Sequence, residues 1–400
     1  MCGLAGILAL GDAATRPSED QLRAMGDALT HRGPDAAGVW QDSSLGLVHR
    51  RLAIQDLSPA GAQPMVSASG RFVIAFNGEI YNFRALRRDL ERAGVTFTGH
   101  SDTEVMLAAF ESWGVEQALD RFNGMFAFAL VDQAEQKLIL ARDRMGEKPL
   151  YYGWQNGVLL FGSELKALRT HPSWAGEIDR NALTLLLRHN LIPAPHTIYR
   201  DVAKLPPASR VTFQLDGKGD MWPEPELYWS LAVAFQPAQG FTLASASDEL
   251  ERRLSTVIDE QMVADVPLGA FLSGGIDSST VVALMQKQAS QPVRTFTIGF
   301  QEQGFNEAEH ARAVAEHLGT RHTELYVSPQ DGLQVIPELP RMYDEPFADS
   351  SQIPTFLVSR MTREHVTVAL SGDGGDELFC GYPRYPGTVN AWNNRHSLKA

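Results

Sequence analysis

The sequence predicts two domains of mixed α/β and α+β class, different in construction. Its 400 residues exceed what one core usually encloses. The first half carries dense short apolar runs in the antiparallel style, at 71–76, 125–131 and 137–141. Beyond residue 247, apolar strands alternate with helical stretches, the pattern of a doubly wound parallel sheet.

The chain opens Met1-Cys2-Gly3. Once Met1 is removed, Cys2 carries a thiol and a free α-amine on one carbon. A thiol of pKa roughly 8.5 beside an amine near 8 is a nucleophile with its own base. Four further segments follow in order: His31-Arg32-Gly33-Pro34-Asp35, Arg51-Leu52-Ala53-Ile54-Gln55-Asp56, Phe76-Asn77-Gly78-Glu79-Ile80-Tyr81-Asn82 and Gly99-His100-Ser101-Asp102-Thr103-Glu104. Together with Cys2 they resemble the glutaminase domain of the class II glutamine amidotransferases, the N-terminal-nucleophile type. The resemblance implies a four-layer αββα sandwich with Cys2 as nucleophile. It implies an oxyanion hole made by the Asn77 amide and the Gly78 N–H, and glutamine held by Arg51, Asn77, Gly78, Glu79 and Asp102. The chemistry suits those types: fixed donors stabilise a tetrahedral oxyanion, a guanidinium fork matches a carboxylate, and a carboxylate matches an ammonium.

In the second half, the apolar run 266–272 breaks into Ser273-Gly274-Gly275-Ile276-Asp277-Ser278-Ser279 and continues as an apolar helix. A glycine-rich turn feeding a helix N-terminus aims N–H groups and the positive dipole end at an anion. No Gly-Lys-Ser/Thr follows the glycines, and Gly-x-Gly-x-x-Gly is absent, so this is neither a Walker A loop nor a dinucleotide fingerprint. The seven residues instead resemble the pyrophosphate loop of ATP pyrophosphatases. Strands at 294–300, 322–327 and 366–370 follow, with a helix capped by Asn306 between the first two. The last strand ends at Ser371-Gly372-Asp373-Gly374-Gly375-Asp376-Glu377, so two glycine-rich acidic loops meet at one sheet edge. Asp277 and Asp376 are then candidates to hold Mg²⁺, which favours one or two carboxylates plus phosphate oxygens, or to cap the helices that follow.

From end to end the chain resembles the glutamine-hydrolysing asparagine synthetases of the B type. The resemblance implies a cytoplasmic ligase using ATP and Mg²⁺. Ammonia freed from glutamine would pass through an internal tunnel to a β-aspartyl-AMP. The adenine and phosphate site would comprise Leu272, Ser273, Gly274, Gly275, Asp277, Ser278, Ile298, Ser371 and Gly372, and a homodimer is compatible with it. The division expected is a glutaminase domain at 2–213, a turn-rich connector at 214–246 and a synthetase domain at 247–400. Two other readings remain: an amidotransferase of this architecture acting on a sugar uronate or peptide carboxylate, and a relative that senses glutamine without synthesis. A β-lactam-forming relative fits less well, because ring closure needs no glutaminase nucleophile.

Composition agrees. Hydrophobic residues at 44% and charged residues at 21% are globular values. The net charge of −13 opposes general nucleic-acid binding without barring ATP. No apolar run approaches eighteen residues, and no basic segment precedes a hydrophobic one, so neither a membrane span nor a secretory signal is expected. Only Cys2 and Cys380 occur, which excludes a disulfide framework and fits a reducing compartment. Cys380 reads as a small buried filler. His310 and His317 read as packed or solvated rather than as a zinc pair.

Two departures from the family pattern stand out. Asp373 occupies a position where the best-known bacterial synthetases carry Glu, linked to formation of the aspartyl adenylate. The sequence also closes soon after the second acidic loop, where the family continues into helices bearing a reactive-site lysine. The expectation is a truncated copy or an incomplete synthetase half.

Overall fold

The computed structural model describes residues 1–10, 16–236, 240–300 and 306–395. Chain contacts divide it into two compact units, Met1–Gly240 with Glu338–Asp349, and Phe241–Pro337 with Ser350–Ala400.

The first unit contains two six-stranded sheets. One has the order β10-β8-β9-β1-β3-β2, from β1 (Gly3–Ala9), β2 (Ala36–Gln41), β3 (Leu45–Arg51), β8 (Tyr151–Gln155), β9 (Val158–Gly162) and β10 (Ala203–Lys204). The other has the order β12-β11-β7-β6-β5-β4, from β4 (Met65–Val66), β5 (Phe72–Ile80), β6 (Gly124–Asp132), β7 (Lys137–Arg142), β11 (Ser209–Gln214) and β12 (Glu226–Leu227). Every pairing in both sheets is antiparallel. The strands expected at 71–76, 125–131 and 137–141 are therefore β5, β6 and β7, with β5 running four residues further.

Successive side chains on a strand face opposite ways. Leu4, Leu8, Leu45 and Leu47 of one sheet meet Val73, Ala75, Ala127 and Ala129 of the other in a fully buried core between the sheets. The alternate residues face outward and are covered by helices. Ala5, Ile7 and Val48 pack with Leu22 and Met25 of helix Glu19–Asp27 and with Leu165 and Leu168 of helix Leu165–Arg169. Over the second sheet, Phe110 of helix Asp102–Arg121 meets Phe72, Phe122 and Phe128 at ring-centroid distances of 6.1, 5.7 and 5.6 Å. The result is the αββα layering expected.

The second unit holds one parallel sheet of order β15-β14-β13-β16, from β13 (Leu268–Phe271), β14 (Arg294–Phe300), β15 (Arg321–Val327) and β16 (Val368–Leu370). Strand order reverses at β13, so the loops after β13 and β16 flank the switch point where open α/β sheets bind ligands. Helix Ile276–Gln288 packs through Val282 and Met285 against Ala270, Leu272, Ala311 and Ala315. Asn306 Oδ1 accepts from Ala308 N at 3.2 Å, at the start of helix Ala308–Leu318.

Cys380 departs from expectation: it is exposed, and so are its neighbours Leu378 and Phe379. The helix before it, Gly375–Phe379, is a single short turn, too short to fold Cys380 back under the sheet. No described helix is long and apolar enough to cross a membrane.

Phe110→Ala removes the ring at the centre of the aromatic cluster. It should cost about 3–5 kcal/mol, read as a lowered urea midpoint for the first unit.

Candidate active site

The register of β1 on β3 determines where the thiol lies. Gly3 pairs with Arg50, so Cys2 falls beside the Arg51-Leu52 link that ends β3. Leu52 N donates to Cys2 Sγ at 3.4 Å, and the thiol reaches Leu52 O at 3.6 Å. Arg32 Nε donates to the Cys2 carbonyl at 2.9 Å. Continuing the inward alternation of Leu4 and Leu8 points Cys2 between the sheets. The same alternation points His49 and Arg51 inward from β3, and Asn77 and Glu79 from β5. The apolar slab thus gives way to polar groups at one end of the sandwich.

Asn77 is fully buried, yet neither its amide nitrogen nor its oxygen has a partner among the described residues. Leaving such groups unpaired costs on the order of 1–3 kcal/mol each, so the position makes sense as one completed by a ligand. Gly78 beside it shows the same openness in its backbone. Phe76 N donates to Gln63 Oε1 and Ile80 N to Asp102 Oδ2, so the alternate N–H groups of β5 point away from β6. Phe126, opposite Gly78, uses its own N–H and C=O on Asp143. The Gly78 N–H therefore emerges on the open edge between two occupied neighbours. Glycine is required there because a Cβ would stand 2.2 Å from Met125 O. The close approach is that of β6, not of a ligand.

The charges around the thiol are mostly buried. Burial pushes the Cys2 thiol up, against a smaller downward pull from the Leu52 hydrogen bond. The chain's terminal amine, here on Met1, is lowered to about 6, first by burial and then by Arg32 and Lys148. Burial raises Glu79 to about 7, reinforced by Asp102. Asp102 is raised to about 6 by burial, although Ile80 N and Thr103 bond to it. As the first residue of its helix, with Ser101 as the cap, it is fixed in place, and among the described residues no cation pairs with it. An incoming ammonium would supply that charge.

Arg51 plays a larger structural part than its sequence role suggested. Its guanidinium donates to the carbonyls of Ser58, Gln55 and Asp56, leaving two of its five N–H donors for a ligand. Sequence reasoning missed Asp56, Glu164 and Lys148. Fully buried Asp56 accepts from Ser58 and from His100 N, which ties the loop after β3 to the loop before Asp102. Its position inside the quoted Gln55-Asp56 motif was the available signal. Glu164 bridges Arg32, His31 and Lys166. Burial pushes Glu164 up, but these partners outweigh it and hold the carboxyl at about 2. Nothing local in the sequence marks that residue.

In the second unit, the loop after β13 is closed on itself. Ser273 Oγ lies 2.9 Å from Ser278 Oγ and accepts from Gly275 N at 3.2 Å, while Ser273 N donates to Ser278 Oγ at 3.2 Å. No side chain caps helix Ile276–Gln288 at Gly275, so its N-terminal N–H groups remain available to an anion. The loop after β16 presses against it: a Cβ on Gly372 would stand 2.7 Å from Ser278 N, and one on Gly375 2.5 Å from the Asp277 carboxylate. Gly375, the residue before Asp376, thus lies against the Asp277 carboxylate. Leu272 is buried and its N–H bonds Phe296 O, holding the β13 end beside β14, which carries Ile298. Asp373 is exposed and accepts from Ser371 Oγ at 3.0 Å. Among the described residues no cluster of three or more His, Cys, Asp or Glu is suited to a metal, so a cation here would rest on two carboxylates and its ligand.

Asp102→Asn should stabilise the fold. The folded-state pKa of Asp102 is raised, so its ionised form costs stability at every pH above that pKa. The gain on substitution is on the order of 3 kcal/mol at pH 8, and it shrinks as the pH falls through about 6 and Asp102 takes up its proton. Thermal melts of the two proteins at several pH values check the sign.

Residues 1–229 match the family model of the glutamine amidotransferase domain, and residues 249–400 match that of asparagine synthase. Asparagine synthetase (glutamine-hydrolyzing) 1 of Bacillus subtilis is 37% identical over 390 residues, covering 96% of this chain and 59% of its own length. A putative asparagine synthetase (glutamine-hydrolyzing) 2 of Methanocaldococcus jannaschii is 36% identical over 403 residues, covering 96% of this chain and 76% of its own. Asparagine synthetase B of Escherichia coli is 32% identical over 410 residues, covering 98% and 66%. The chain therefore spans between about three-fifths and three-quarters of these relatives. It belongs to the glutamine-hydrolysing asparagine synthetase family, with an amidotransferase domain followed by an asparagine synthase domain.

Proposed function

We propose that the chain is the glutaminase and nucleotide-binding portion of an enzyme that amidates aspartate to asparagine with ATP, taking ammonia from glutamine. The observation that carries the reading is the buried, unpartnered Asn77 amide beside a Gly78 N–H that points away from β6, on the strand facing Cys2. In this reading the amine left on Cys2 after loss of Met1 takes the thiol proton. The thiolate attacks the glutamine amide carbon, the oxyanion that forms is met by Asn77 and Gly78, the amine passes its proton to the leaving nitrogen so that ammonia departs, and water then cleaves the thioester to release glutamate. Asp102 and Glu79 receive the substrate ammonium, and the remaining Arg51 donors receive its carboxylate.

The second unit supplies the activating half. The uncapped N-terminal N–H groups of helix Ile276–Gln288, with Ser273, Gly274, Gly275 and Ser278, would hold the phosphates of ATP. Leu272, Ile298, Ser371 and Gly372 would hold the adenosine. Asp277 and Asp376 fit a Mg²⁺ ion, whose positive charge would offset that building on the phosphates. Asp373 would attend formation of the aspartyl-AMP. Its carboxylate sits one C–C bond, roughly 1.5 Å, short of a glutamate's. A shift of the loop at Gly374 and Gly375, or an acceptor other than aspartate, would accommodate the difference.

In the full-length protein, Cys2→Ala should abolish glutamate release from glutamine while ammonia-dependent synthesis continues. Asp277→Ala and Asp376→Ala should each abolish ATP–pyrophosphate exchange and leave glutamate release in place. Amino-acid analysis of the product from ATP, glutamine and a panel of acids identifies the acceptor. Pyrophosphate release with another carboxylate but not with aspartate would replace the asparagine reading by that of a general amidotransferase.

A further inference from the structure

Residues 338–349 lie in the sequence among elements of the second unit, yet pack as part of the first. Two consecutive acids fasten this strap. Glu345 pairs with Lys204 at 2.6 Å and accepts from Ile198 N at 2.6 Å. Asp344 pairs with Lys166 Nζ at 3.3 Å and accepts from Lys166 N at 2.9 Å. Lys166 Nζ also binds Glu164, Glu164 binds Arg32 Nη1 at 2.7 Å, and Arg32 Nε holds the Cys2 carbonyl at 2.9 Å. The four side chains are only 7–19% exposed and their charges alternate in sign. Removing the last of them leaves Lys166 without one of its two acidic partners and unbalances its hold on Glu164. Arg32 is sensitive to that change, because its Nη2 is buried with no partner among the described residues, so its orientation rests on the Nη1 bond to Glu164 and the Nε bond to the Cys2 carbonyl.

We propose that Asp344 is a positioning residue for the Cys2 thiol, acting through Lys166, Glu164 and Arg32. The proposal rests on the glutaminase reading above. It means that the amidotransferase centre is completed by a residue outside residues 1–229, the span of the matching domain. A displaced Cys2 carbonyl moves its thiol relative to the Asn77 and Gly78 donors, and a misplacement of about 1 Å is worth on the order of 10²-fold in rate. A relay of three intermediates should transmit part of that.

The test uses the whole chain with Met1 removed. Asp344→Asn should lower kcat for glutamine hydrolysis by roughly ten-fold with KM within about two-fold, and Asp344→Glu should restore most of it. Combined with Lys166→Met, Asp344→Asn should cost no more than the worse single change, as for groups acting in series. Iodoacetamide labelling gives a readout independent of turnover: peptide masses report Cys2 against exposed Cys380 as an internal reference, and the ratio should change in Asp344→Asn. Wild-type kcat and an unchanged ratio in that variant would overturn the proposal, and so would multiplicative losses in the double variant. Should the unsubstituted chain release no glutamate, the glutaminase reading fails by itself and the labelling ratio alone decides the relay.

Discussion

The antiparallel pairing of β1 with β3 is the constraint on which the first unit's chemistry depends. By matching Gly3 to Arg50 it places the chain's second residue against the Arg51-Leu52 peptide, and Leu52 N then engages the thiol. A one-residue slip would turn Leu4 and Leu8 out of the inter-sheet core and the thiol out of the site with them. The packing of Leu4, Leu8, Leu45 and Leu47 between the sheets therefore enforces the position of Cys2. The opposing strand obeys the same rule, since Val73 and Ala75 belong to that core and Asn77 and Glu79 continue their face.

The two units solve different problems with different backbone devices. In the first, polar groups are buried at strand ends, and burial raises the carboxyls of Asp102 and Glu79, so that their ionised forms cost folding stability. In the second, an uncapped helix N-terminus and two touching glycine-rich loops present backbone donors and two carboxylates with little strain on the core. The αββα layers and the parallel sheet each follow from the period of their apolar residues.

Much of this was legible in sequence, for local reasons. Strand boundaries followed the apolar runs to within a few residues, and five short motifs in order carried the resemblance under which Cys2, Asn77, Gly78 and Asp102 are proposed as site residues. What could not be read depended on distant contacts. Asp344 and Lys166 are 178 residues apart, and no local pattern announces their bond. Arg51 looked like a free fork, but the loop that folds over it uses most of its donors. At Gly78 the facing strand is what excludes a side chain, a contact that no local pattern announces. Cys380 was expected inside because free cysteine usually is, yet the one-turn helix before it leaves it at the surface.

The central claim is that a mature N-terminal Cys2 thiol, facing the open donors of Asn77 and Gly78, attacks a glutamine side chain. A glutamine analogue bearing a diazoketone in place of the amide tests it most directly, because attack expels dinitrogen and leaves the analogue bonded to sulfur. Intact-mass and peptide analysis should show one adduct per chain, on Cys2 of the protein lacking Met1, and excess glutamine should block it. An adduct confined to exposed Cys380, or labelling of Cys2 that glutamine does not slow, would contradict the account.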